Sequence, residues 1–139
     1  MTISLIGYTT LGTNDLARGT AFSDDLLATI GIERLWAHGN MVAWGTSRND
    51  PAFCIAKPFD GELASAGNGT MIALRVHDRA SVDRLHSRAL ELGGSDEGKP
   101  GPRGDHGFNG AYFRDLDGNK RLIPFDPAAQ DVVLRGLPI

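Results

Sequence analysis

The stretch YTTLGTND at residues 8–15 has a counterpart 63 residues further along, MIALRVHD at residues 71–78. In both copies an alternating run leads to an aspartate, an amphipathic stretch of about four turns follows, and a glycine comes next, Gly31 or Gly94. A short carboxylate accepts hydrogen bonds from the free N–H groups of a first helical turn, and glycine ends helices readily. The repeat therefore predicts two strand–helix–strands units that share one sheet, with a ligand site on its concave side.

Composition narrows the class of protein. The chain has 139 residues, 41% of them hydrophobic and 22% charged, with a formal net charge of −3 and no cluster of basic residues. Nucleic-acid binding is not expected, because it requires a concentrated basic surface. A single cysteine, Cys54, fits a reducing compartment, and the N-terminal apolar segment 3–11 is too short and too polar to be a signal sequence or a membrane span. We therefore expect a cytoplasmic protein without membrane contact.

The hydrophobic pattern divides one domain, residues 1–139, into two modules. Module one covers about 3–58, a polar linker 59–68, module two about 69–126, and a tail 127–139. Each helix carries a single apolar stripe, so both helices are expected to lie on the convex face of the sheet. Strands are predicted at 3–13, 32–37, 41–44, 52–57, 70–76, 111–114 and 121–125, and the glycine-rich segment 98–110 is predicted to be largely irregular.

The order of several short motifs resembles one known superfamily. In module two these are TMIALR at 70–75, DRASVDRLH at 78–86, ALELGG at 89–94, PGPR at 100–103 and RDLDGN at 114–119, and module one contributes LGTNDL at 11–16. The sequence over about residues 3–126 resembles the glyoxalase/bleomycin resistance/extradiol dioxygenase superfamily, also called vicinal oxygen chelate. The resemblance implies an α+β fold of two tandem βαβββ modules that form a curved, cup-like mixed sheet.

The resemblance also implies where a metal would be bound in that superfamily. The first-strand ligand of each module falls at Tyr8 and Met71, the late glutamate falls at Leu122, and a fourth ligand would lie near Cys54. A divalent catalytic ion needs several carboxylate or imidazole donors, whereas neutral phenol is a poor ligand, thioether is soft, and leucine has no donor atom. We therefore predict a metal-free cup and no cofactor.

The predicted ligand pocket combines strand residues of both modules with one loop arginine. Tyr8 and Met71 occupy mirrored positions, and the alternative is that both fill a collapsed core. Arg75 shares a strand face with Met71, so it is expected to meet either an anionic ligand or an acid such as Glu33. The full set is Tyr8, Phe53, Met71, Arg75, Arg103, Tyr112 and Leu122.

His106 is the candidate for acid–base chemistry. It follows Asp105 in the glycine-rich loop, and a histidine beside a carboxylate can act as a general base near neutral pH. The alternative is a solvated loop histidine without a catalytic role.

Four functions follow from these features. The first is binding of a small organic molecule in the metal-free cup, as in resistance proteins of the superfamily. The second is a glyoxalase-like lyase or dioxygenase that uses a divalent metal, which family resemblance alone motivates. The third is metal-free acid–base catalysis by His106. A fourth function is a structural module that pairs with other chains through its strand edges. The resemblance also implies a homodimer.

Overall fold

The computed structural model describes residues 5–127. Module one consists of β1 (Tyr8–Gly12), α1 (Leu16–Ala28), β2 (Glu33–His38), β3 (Met41–Gly45) and β4 (Ala52–Ala56). Module two consists of β5 (Met71–Ala73), α2 (Arg79–Glu91), β6 (Ser95–Pro102), β7 (Asn109–Arg114) and β8 (Lys120–Phe125). The α+β class and the two tandem βαβββ modules are thus confirmed, and the predicted tail beyond residue 127 lies outside the described part.

The strands form two open sheets rather than one shared sheet. Their orders are β1-β4-β3-β2 and β5-β8-β7-β6, and in each the first strand is parallel to its neighbour while the others are antiparallel. Within residues 5–127, β1 and β5 each pair on one side only. The modules meet instead through α1, whose Phe22 and Leu26 pack into the core of module two.

The repeat is visible in how both helices begin. Asp15 and Asp78 are the N-caps, and their carboxylates accept hydrogen bonds from the backbone N–H groups of Arg18 and Ser81. The bond from Ser81 lowers the pKa of Asp78 below its ordinary value. The sequence predicted Asp78 as the second cap and left the first open between Asn14 and Asp15, of which the structure has Asp15.

The predicted helix stripes form the core. In α1 the side chains of Phe22, Leu26 and Leu27 are buried, and in α2 those of Val82 and Leu85. Each helix covers its own sheet, because α1 contacts β2 and β4 while α2 contacts β6, β7 and β8. This packing leaves the opposite face of each sheet available for other partners.

Strand β6 was not predicted. It runs through the sequence SDEGKPGP, and its pairing with β7 shifts register between Asp96 and Gly98 and again before Gly101. Glycine tolerates the irregular backbone of such bulges, so a composition typical of loops is compatible here with an edge strand.

Within residues 5–127, neither helix is long or apolar enough to span a bilayer.

Candidate ligand-binding site

A cleft of about 660 Å³ lies between the two modules, and its lining includes Thr9 of β1 and all three residues of β5. We call it the inter-module cavity. Its deepest lining is apolar and comes from α1, β3, β4 and the start of module two. These buried or half-buried residues are Leu27, Ile30, Trp44, Phe53, Ile72 and Leu74.

The rim of the inter-module cavity is formed by more exposed residues. Thr9 lies on the β1 side, and Met71, Ala73 and Arg75 lie on the β5 side. Met71 is 40% exposed, and the side chains of Ala73 and Arg75 are exposed as well. The cavity therefore combines an apolar floor with a rim that a solute can reach.

A second cleft, of about 870 Å³, lies on module one alone. It is bounded by Tyr8, Thr10 and Met41 of the sheet and by Phe59 and Leu63 of the segment that links the modules. We call it the module-one cavity. The large apolar side chains at its border are unusually exposed, since Phe59 and Leu63 have almost no cover.

The structure brings together three of the predicted pocket residues, Phe53, Met71 and Arg75, which all line the inter-module cavity. Tyr8 lines the module-one cavity instead, is 57% exposed, and packs edge-on against Trp36 with ring centroids 6.4 Å apart. Leu122 is buried and lines neither cavity. Tyr8, Met71 and Leu122 therefore do not share one hollow in the described chain.

Arg103 and Tyr112 contact each other away from both cavities. The Arg103 guanidinium donates to the carbonyls of Lys99 and Gly101, and it stacks over the Tyr112 ring at 5.6 Å. Lys120 lies over the same ring at 5.0 Å. Because backbone carbonyls occupy the guanidinium, Arg103 serves here to hold the end of β6 in place.

His106 lies exposed in the loop between β6 and β7, with Asp105 exposed beside it. Within residues 5–127, neither side chain has a hydrogen-bond or ion-pair partner. The general-base role of His106 stays a prediction.

The residues at the superfamily's metal positions do not fit a divalent ion. Tyr8 offers an exposed phenol, Met71 a thioether on the cavity rim, and Leu122 a buried side chain without a donor. Cys54 is buried, and burial raises the pKa of its thiol. Among the residues that the structure describes, no three His, Cys, Asp or Glu side chains are grouped as a metal ion would require.

A buried ion pair lies outside the lining of the inter-module cavity, between Arg121 of β8 and Asp115, which follows β7. The guanidinium of Arg121 is 1% exposed, and its Nη2 donates to Asp115 Oδ2 at 2.7 Å. The other carboxylate oxygen of Asp115 accepts from the backbone N–H groups of Asp117 and Asn119 in the β7–β8 turn. The pair therefore ties the turn to the core.

Aromatic rings surround the remainder of the Arg121 guanidinium. Phe22, Phe53 and Phe113 lie between 4.5 and 5.8 Å from it, ring centroid to guanidinium carbon. Its Nε and Nη1 atoms have no hydrogen-bond acceptor within residues 5–127. Burial lowers the pKa of Arg121, and the Asp115 charge opposes that shift. Sequence analysis missed this pair. The available signal was that Arg121 and the apolar Ile123 are two residues apart in β8 and so share one face of the strand.

A second polar contact in module two involves His86. It is buried in α2, and its Nε2 lies 3.0 Å from Asp96 Oδ1 on β6. The Gly98 N–H and then His86 lower the pKa of Asp96 below its ordinary value. This contact joins α2 to the edge strand of its sheet, which is a structural role.

Comparison with known proteins places this architecture in a family. A glyoxalase/bleomycin resistance protein from Albidiferax ferrireducens T118 is 30% identical with a TM-score of 0.82, over 89% of this chain and 100% of that one. A lactoylglutathione lyase from Agrobacterium tumefaciens is 24% identical, with a TM-score of 0.63, over 88% of this chain and 93% of that one. Fosfomycin resistance protein FosX from Mesorhizobium loti is 21% identical, with a TM-score of 0.64, over 95% and 99%.

No protein-family model and no curated protein sequence matches the chain. The two relatives below 25% identity support the fold alone. The relative from Albidiferax ferrireducens supports family membership as well, because its whole length aligns with this chain at 30% identity. The repeat, the two βαβββ modules and this similarity together show that the chain belongs to the glyoxalase/bleomycin resistance family of the vicinal oxygen chelate superfamily.

Proposed function

We propose that this protein binds a small organic molecule in the inter-module cavity and does so without a divalent ion. The observation that carries the proposal is the cavity itself, whose volume of about 660 Å³ falls within the range of small-molecule sites. Its floor is apolar, and a few polar groups lie at its rim, which is the usual composition of such sites. Binding would be driven by removal of apolar ligand surface from water.

The names of related proteins agree with this proposal. The relative from Albidiferax ferrireducens is named for bleomycin resistance, and FosX is named for fosfomycin resistance. Both names refer to small molecules, and neither identifies the ligand of this chain. The absence of suitable donors at Tyr8, Met71 and Leu122 favours binding over metal-dependent lyase or dioxygenase chemistry.

The direct test is titration with N-phenylnaphthylamine, a neutral dye that fluoresces in apolar sites. We expect a saturable increase that corresponds to one dye per chain. The increase should be the same after dialysis against a chelator, because no ion takes part.

Two results would overturn the proposal. One is a fluorescence increase that never saturates, which indicates nonspecific contact with exposed apolar side chains. The other is stoichiometric zinc, nickel, manganese or iron in protein purified without chelator, together with loss of dye binding when the metal is removed.

We propose further that two copies of the chain form a homodimer. Tyr8, Phe59 and Leu63 present large exposed apolar side chains away from the inter-module cavity, and a second copy that covers them would remove this surface from water. Sedimentation should therefore give twice the chain mass of 14.9 kDa. Replacing Phe59 and Leu63 together by serine should shift the mass towards one chain. A single-chain mass for the unmodified protein at every concentration contradicts the dimer.

A further inference from the structure

Arg75 is the charged residue among those that line the inter-module cavity in residues 5–127. The other polar side chains of that lining are the hydroxyl groups of Thr9 and Thr46. No acidic residue of the described lining balances the guanidinium. A ligand therefore meets one positive charge at the rim, next to apolar surface.

Arg75 has a free guanidinium, as other exposed arginines such as Arg79 have, but it is the arginine that lines the inter-module cavity in the described part of the chain. Arg34 pairs with Asp24, and Arg114 pairs with Glu97. Arg75 is exposed and has no hydrogen-bond or ion-pair partner within residues 5–127. Its five N–H donors are thus free to bind a group that enters the cavity.

The floor and the rim make different demands on a ligand. The floor, which includes Trp44 and Phe53, excludes charge because a desolvated ion without a partner is costly. The rim favours one negative charge, since the field of Arg75 is strengthened beside a low-dielectric wall. A carboxylate matches the planar guanidinium with two parallel hydrogen bonds, and its single negative charge equals the single positive charge at the rim.

We infer that the inter-module cavity takes a small organic monocarboxylate, with its apolar body on the floor and its carboxylate on Arg75. This inference rests on the proposed function. It assigns the ligand class and makes Arg75 the residue that selects it.

The test compares naphthoate with naphthamide, which share shape and size and differ in charge. Both are measured by displacement of N-phenylnaphthylamine and by calorimetry. We expect naphthoate to bind about tenfold more tightly than naphthamide, which is the effect of one exposed charge-assisted contact. Increasing salt should narrow this difference, because the charges are near solvent.

Arg75→Gln should make the two affinities equal while the affinity for naphthamide is unchanged. The matched control is Arg79→Gln, because Arg79 is an exposed arginine at the start of α2 outside the cavity lining. This variant has the same change in net charge, and it should retain the preference for naphthoate.

The two proposals fail differently. If the dye and naphthamide bind but naphthoate has no advantage, or if its advantage survives in Arg75→Gln, the ligand class is wrong and the proposed function stands. Tighter binding of naphthyl phosphate than of naphthoate would also contradict the single-charge assignment. If neither the dye nor either naphthalene compound binds, both proposals are wrong.

Discussion

Asp115→Asn is expected to lower the free energy of unfolding by about 3–5 kcal/mol, the usual cost of leaving one member of a buried ion pair alone. The asparagine keeps an acceptor for the backbone N–H groups of Asp117 and Asn119, but it removes the charge that compensates Arg121. Arg121 cannot reach solvent, so its guanidinium would lie in the core without a counterion. Urea unfolding followed by circular dichroism measures the difference.

A second variant and a control separate charge from packing. Arg121→Met combined with Asp115→Asn should cost less than the sum of the two single substitutions, because the double variant leaves no lone buried charge. Asp105→Asn makes the same chemical change at an exposed loop position, and it should change stability by less than about 0.5 kcal/mol. Equal costs for Asp115→Asn and Asp105→Asn would contradict the account of the ion pair.

Ala73→Trp is expected to weaken dye binding strongly, because an indole on the rim occupies the entrance to the inter-module cavity. If the indole displaces about 100 Å² of apolar dye contact, binding loses about 2.5 kcal/mol. That loss corresponds to a roughly seventyfold higher dissociation constant. Titration with N-phenylnaphthylamine at matched protein concentration measures it.

The fold should tolerate this change. Ala73 is exposed on the edge strand β5, and tryptophan is favourable in strands. Ala37→Trp is the matched control, because Ala37 is also exposed on an edge strand and does not line either cavity. Unchanged dye affinity in Ala73→Trp, or equal losses in the two variants, would place the dye elsewhere.

Much of the fold could be predicted from the sequence, because the deciding interactions are local. The N-caps Asp15 and Asp78 and the two apolar stripes follow from hydrogen bonding and periodicity within each module. The strand β6 could not be predicted, because its stability comes from pairing with β7 and from glycines that permit bulges. The separation into two sheets depends on how α1 packs against module two, which no local pattern specifies.

Less of the candidate site could be predicted than of the fold, because the site depends on packing between the modules. Matching positions in the repeat put Tyr8 and Met71 at corresponding strand starts, and this correspondence was interpreted as a shared hollow. Equivalent positions in two modules need not face each other, since their separation depends on the angle between the modules. Strand alternation predicted that Arg75 shares a face with Met71, but residues 71–75 all line the cavity in the structure. The deep lining from Leu27 and Trp44 arises from tertiary packing, which no local pattern specifies.

Crystals soaked with bromonaphthoate test the central claim most directly, because anomalous scattering locates the bromine without bias. We expect one bromine site per chain between β1 and β5, on the apolar floor near Trp44 and Phe53, with the carboxylate towards Arg75. A bromine site beside His106, or in the module-one cavity with the inter-module cavity empty, would contradict the account.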